Sequence, residues 1–183
     1  MAAAATITQA WMLELYNSLP HYFGYHRRTC ANHDEASFRL AIGHRLQDLG
    51  QRLLDGADAR PHLLTNRQHE LIELLAEDIT TIMKLLNRTG VIRIGGDLDD
   101  AIKELQTIDG ELLILIESMW QSANAMFVSE CAGFETASCN LAACFEAFLL
   151  LAEERNSLMG LGWESEFGRS PDTRIAFEYE DDA

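Results

Sequence analysis

Proline is scarce in this chain, with only Pro20, Pro61 and Pro171 among 183 residues. Each falls between candidate helices or in the terminal stretch. The long segments between them lack the residue that removes a backbone donor and clashes with the preceding turn. An all-α protein is therefore expected. No secretory leader is expected either, since MAAAATITQAWMLELY at the start has no basic residue ahead of its apolar part. No run supplies the ~20 apolar residues of a membrane span. LLILI (112–116) is bracketed by Glu111 and Glu117, and CNLAACFEAFLLLA (139–152) is interrupted by Glu146. The four cysteines, Cys30, Cys131, Cys139 and Cys144, show no C-x-x-C spacing. Without a leader, a chain of this length is a poor disulfide scaffold, so reduced thiols and a cytoplasmic location are expected. Nucleotide-binding glycine loops and the GxSxG nucleophile motif are absent. None of the six histidines has Asp or Glu three residues before it, which excludes the Glu-x-x-His pattern of ferritin-like di-iron bundles. No cofactor is expected.

Cations are lacking in one half. Residues 1–96 carry ten Lys/Arg and ten Asp/Glu, whereas residues 97–183 carry four against nineteen, so the whole net charge of −15 sits there. Such a surface repels phosphate backbones, so direct nucleic-acid binding is not expected. It would steer the protein toward a basic surface on another protein.

The apolar residues that are present repeat with helical spacing. Trp11, Leu15 and Leu19 predict a helix over Thr8–Leu19, ended by Pro20. Phe38, Ile42, Leu46, Leu49 and Leu53 predict one over His33–Leu54, after which DGADARP (55–61) reads as a turn. Thr65 and Gln68 form a capping-box pattern that opens a third helix. Its stripe is Leu71, Leu75, Ile79, Ile82 and Leu86, and Gly90 stops it. VIRIGG (91–96) reads as a brief extended piece. A fourth helix starts at Asp97, with a possible interruption at Asp109-Gly110 and a break at Gly133. The fifth spans Phe134–Leu158; apolar on nearly all sides, it is expected to be the most buried. Glu146 inside it is expected to point outward. The expected organisation is a single-domain bundle of about five helices over 1–159, followed by a short irregular acidic tail over 160–183.

The stretch SLPHYFGYHRRTCANHDEAS (18–37) concentrates ionisable side chains. His21, His26, Cys30 and His33 are zinc-ligand types, although only Cys30-x2-His33 has the tight spacing of structural sites. Arg28-x4-His33 and Arg39-x4-His44 resemble the R-x4-6-H motif of HEPN-type ribonucleases, which are helical bundles. That resemblance implies a phosphate-stabilising Arg and a His assisting proton transfer. The main expectation is different: a non-enzymatic inhibitor, adaptor or regulator, in the manner of phage or mobile-element inhibitors, docking onto a partner protein, for instance a basic nucleic-acid-binding one. Its docking residues would be Asp97, Asp99, Asp100 and Glu104 at the start of the fourth helix, and Glu153 and Glu154 late in the fifth. The alternatives are a ribonuclease or zinc module built on the His/Arg-rich loop, and a self-associating bundle, for instance a homodimer. Circular dichroism should show more than about half of the residues helical, above the one-third typical of globular proteins; a mostly β spectrum would refute the helical reading.

Overall fold

The computed structural model describes residues 24–25, 31–87, 92, 98–128 and 131–161; 88% of these are helical and none is in a strand. Four helices are present among them: α1 (Ala31–Asp58), α2 (Asn66–Leu86), α3 (Leu98–Val128) and α4 (Cys131–Leu158). The Thr8–Leu19 helix, Gly90, most of 91–96 and nearly all of the acidic tail lie outside the described residues.

The start of α2 follows local chemistry. Thr65 caps it, its side chain accepting from the Gln68 backbone N–H, while the Gln68 side chain accepts from the Thr65 N–H. Such a cap contributes about 1 kcal/mol. The buried stripe is Ile72, Leu75, Ile79, Ile82 and Leu86, with Ile72 taking the place expected for Leu71. The end of α4 is equally regular. Gly160 has φ 69°, Leu161 N–H reaches the Asn156 carbonyl (2.8 Å), and Leu161 is buried. This is a Schellman stop with its apolar contact.

Around the bundle axis the helices follow the order α1, α2, α4, α3, each packing on its two neighbours. α1 and α3 run the same way, because Arg52 Nε donates to Asn124 Oδ1 (3.0 Å) and, one turn on, Gly56 meets Phe127. The core is a continuous set of aliphatic and aromatic side chains that includes Phe38, Leu46, Leu112, Met119, Phe145 and Phe148.

Three glycines behave differently from their local signals. α1 does not end at Leu54: it continues through Gly56 to Asp58, because Ala57 is buried and the Phe127 ring packs directly on the Gly56 backbone. The Arg52 and Arg60 guanidinium groups sit 5.8 and 5.4 Å from the centre of that ring. Asp109-Gly110 does not interrupt α3, since both residues are buried within it. Gly133 breaks nothing; it lies in the first turn of α4.

The expected most-buried helix needs the largest correction. In the most apolar stretch of α4 only 33% of the residues are buried, and Leu150 is 70% exposed. By length and composition this helix could cross a membrane, yet one face of it, with Phe145, Phe148 and Ala152, lies in the core of the bundle. Glu146 is exposed, as expected.

The glycines give a paired prediction. A Cβ at Gly56 would overlap the Phe127 ring, whereas one at Gly43 meets nothing within 4 Å. Gly56→Ala should cost about 1–3 kcal/mol through overpacking. Gly43→Ala should stabilise by about 0.5–1 kcal/mol, because alanine loses less conformational freedom in a helix. Urea unfolding midpoints of both variants check the signs.

Candidate functional site

Two features could carry function: a buried charged centre and an open groove. The centre is built on Arg155 of α4, which is 1% exposed. Its Nε donates to Asp109 Oδ1 of α3 (2.6 Å), and its Nη2 donates to the Tyr25 hydroxyl (2.7 Å). That hydroxyl in turn donates to Asp109 Oδ2 (2.9 Å). Arg155 Nη1 lies 3.8 Å from Glu35 Oε1, and the guanidinium stacks 4.7 Å from the centre of the Phe38 ring on α1. Tyr25 is fixed from several sides. Its backbone N–H donates to Asp34 Oδ2 (2.9 Å), and the Gly24 carbonyl beside it accepts from Gln106 Nε2 (2.7 Å). Both residues adopt left-handed φ, 60° for Gly24 and 64° for Tyr25. That conformation is strained for a tyrosine and persists where the surroundings over-determine it.

Electrostatically the centre is closed. Burial by itself would lower the Arg155 pKa, but Asp109, Tyr25 and Glu35 reverse this and hold it above its ordinary value. Burial, then the Asp109 charge, push the Tyr25 hydroxyl well above its ordinary 10.0, against the opposing pull of Arg155. Every polar group named here is taken up by another, so the chemistry of this centre is cohesion between residues 24–25, α1, α3 and α4.

The groove runs between α3 and α4 near their hairpin end and holds about 820 Å³. Its walls are uncharged and mostly small: Leu115, Ser118, Gln121, Ser122 and Ala125 on α3, and Gly133, Thr136, Ala137, Asn140, Ala143 and Cys144 on α4. Gly133 contributes no side chain at all. Cys144 is half-buried and burial pushes its thiol upward, which keeps it protonated. At 100° per residue, Glu111 and Glu104 continue the α3 stripe beyond Leu115. On α4, Ala147, Leu151 and Glu154 continue the stripe beyond Cys144. Beyond the groove this face therefore carries Glu111 one turn past Leu115, and further along it Glu104 on α3 and Glu154 on α4. Glu104, Glu111 and Glu154 are all exposed.

The expected docking residues are thus divided. Asp97 lies outside the described residues. Asp99 and Asp100 are exposed in the first turn of α3, Asp100 pairing with Lys103 (3.1 Å). Glu104 and Glu154 share the groove face, while Glu153 lies on the other flank of α4. Glu111 was not singled out from the sequence, although its i+7 spacing from Glu104 was a usable signal.

For zinc, His21, His26 and Cys30 lie outside the described residues, and His33 is exposed at the start of α1. Among the described residues no three His, Cys, Asp or Glu side chains gather as a metal set. For the ribonuclease-like pairs, Arg28 also lies outside. Arg39 and His44 line a cleft of about 150 Å³ between α1 and α2. The Arg39 guanidinium, however, is engaged by Glu35 (3.0 Å) and Asn87 (3.3 Å).

The chain matches no family model, no curated protein and no solved structure.

Two variants test the centre. Arg155→Met should cost about 3–5 kcal/mol, because Asp109 is left buried without its cation. Tyr25→Phe should cost about 1–3 kcal/mol by leaving hydrogen-bonding groups unpaired. The Tyr25 contribution has a defined pH dependence. With its folded pKa raised, the folded state holds a proton that the unfolded chain releases near pH 10, so stability falls as pH rises from there. Stability measured from pH 8 to 11 should show the gap between wild type and Tyr25→Phe narrowing above about pH 10.

Proposed function

We propose that this chain is a cytoplasmic, non-enzymatic interaction protein, an inhibitor, adaptor or regulator, that docks onto a partner protein through the outer face of α3 and α4. The proposal keeps the five-helix reading, with Thr8–Leu19 as a further helix and residues 160–183 as an acidic tail. One observation carries it. The most apolar helix leaves most of its apolar stretch unburied, beside an uncharged groove of about 820 Å³. A contiguous apolar surface rimmed by charge is the usual mark of a contact site. The titratable groups of the buried centre are spent on one another, and Arg39 is already paired, so neither supplies a catalytic constellation.

The test is capture of a partner from the native host by wild type and by three variants, each first shown to be folded. Ala143→Arg puts a charge into the groove at an exposed position. The combined Glu104→Gln, Glu111→Gln and Glu154→Gln removes the acidic end. Leu63→Arg, at a position 76% exposed in the α1–α2 connection, is the control. The captured protein should be lost with Ala143→Arg, reduced with the triple variant and retained with Leu63→Arg. Identical capture by all four proteins would refute docking through this face.

A further inference from the structure

We infer that the groove receives an amphipathic helix from another protein, apolar along one stretch and basic along the next. This rests on the docking reading above and names the chemistry of the partner. The shape of the face sets the first requirement. From Ala125 to Leu115 the α3 wall is ten residues long, about 15 Å at 1.5 Å per residue, or roughly three helical turns. Along it the walls are uncharged, and on the α4 side Gly133, Ala137 and Ala143 allow close approach of a second backbone. This is the helix-in-groove mode of recognition, read by apolar anchors at i, i+3 and i+4.

Charge sets the second requirement. Beyond Leu115 the same face becomes acidic, with Glu111 one turn on, Glu104 two turns further along α3, and Glu154 on α4. α3 and α4 contain two cationic residues between them. Arg155 is buried, and Lys103 pairs with Asp100 at 3.1 Å. An occupant that covers the groove and continues past it must therefore bring cations over its last two turns. The other occupants fit less well. Residues 1–22 contain Glu14 and no lysine or arginine. Residues 162–183 hold seven acidic residues against Arg169 and Arg174. A second copy would set its own Glu104, Glu111 and Glu154 against these, or would bury them over the other copy's apolar groove. Each of these arrangements carries a like-charge or desolvation cost.

The experiment uses the full chain and three synthetic helical peptides of about 18 residues, or five turns. The first has a Leu/Ala stripe and lysines over its last two turns. The second replaces those lysines with glutamates, and the third scrambles the first. Affinity is read by fluorescence anisotropy. Occupancy of the groove is read by protection of Cys144 from alkylation, with the exposed Cys139 on the other side of α4 as internal reference. The first peptide should bind best and protect Cys144 but not Cys139. Its affinity should fall severalfold as salt is raised, because exposed charges are screened. The Glu104→Gln, Glu111→Gln, Glu154→Gln variant should bind it about tenfold more weakly, and Ala143→Arg should lose it, as for a substitution at the desolvated centre of an interface. Equal binding of the glutamate peptide, abolished by Ala143→Arg, would overturn the basic-helix inference and leave the docking reading standing. Two results would replace the partner by another occupant and overturn the inference. One is a concentration-dependent dimer, and the other is partition onto phosphatidylcholine vesicles, each abolished by Ala143→Arg. A monomer that binds no peptide and leaves Cys144 unprotected would overturn the inference, while the docking reading is decided by the capture experiment.

Discussion

One buried cation holds this molecule in register. Arg155 lies in the most apolar helix and reaches across the core to Asp109, to the Tyr25 hydroxyl and toward Glu35, while Phe38 covers its guanidinium. Taking a guanidinium out of water is costly, and only close, complete pairing offsets the loss. The geometry of the pairing is therefore exacting. Rotation of α4 by one residue would swing Arg155 by about 100°, break its contact with Asp109 and leave that carboxylate buried without its cation. The same pair fixes how far α4 slides along α3. It also holds residues 24–25 against α1 and α3, in a backbone conformation that a tyrosine adopts only under constraint.

What the sequence revealed and what it hid divide along the range of the interactions. The capping box of Thr65 and Gln68 spans three residues, and it predicts the start of α2 because everything it needs is local. The stripes Phe38–Leu53 and Leu75–Leu86 were equally legible, since helical periodicity is a local signal too. The central ion pair was not. Its partners stand 46 residues apart, and the Tyr25 contact spans 130. No periodicity marks them, and Asp109 beside Gly110 imitates a turn. Gly56 misleads for a related reason: what keeps it helical is the ring of Phe127 on another helix. The acidic end of the groove face was half legible, as Glu104 and Glu154 follow from charge distribution alone. The groove itself was hidden, because small uncharged residues on an apolar helix read as core whichever way they face.

The hydrophobic effect scales with area and has no direction. On α4 it cannot choose between the face with Phe145 and Phe148 and the face with Ala143, Ala147 and Leu150, because both are apolar. The position of Arg155 chooses. Once the guanidinium must meet Asp109, Phe145 and Phe148 turn inward and Ala143 and Leu150 turn outward. The exposed apolar face is thus a consequence of the buried charge, and the groove owes its location to the same contact.

Exposing such a face carries a hazard, since apolar surface attracts other copies of itself. Net charge works against this, because a chain at −15 repels its own kind at a distance. On this face the repulsion is aimed: Glu104, Glu111 and Glu154 stand along the line that a second molecule would have to follow out of the groove. In the proposed docking, the arrangement would separate two tasks by range. Carboxylates select the sign of an approaching surface over several ångströms, before contact. The uncharged walls, with Gly133, Ala137 and Ala143 among them, would then favour a backbone that can come close. A partner that satisfied one condition without the other would gain little, and under the proposed docking that conjunction is what would give specificity to a surface whose individual residues are chemically plain.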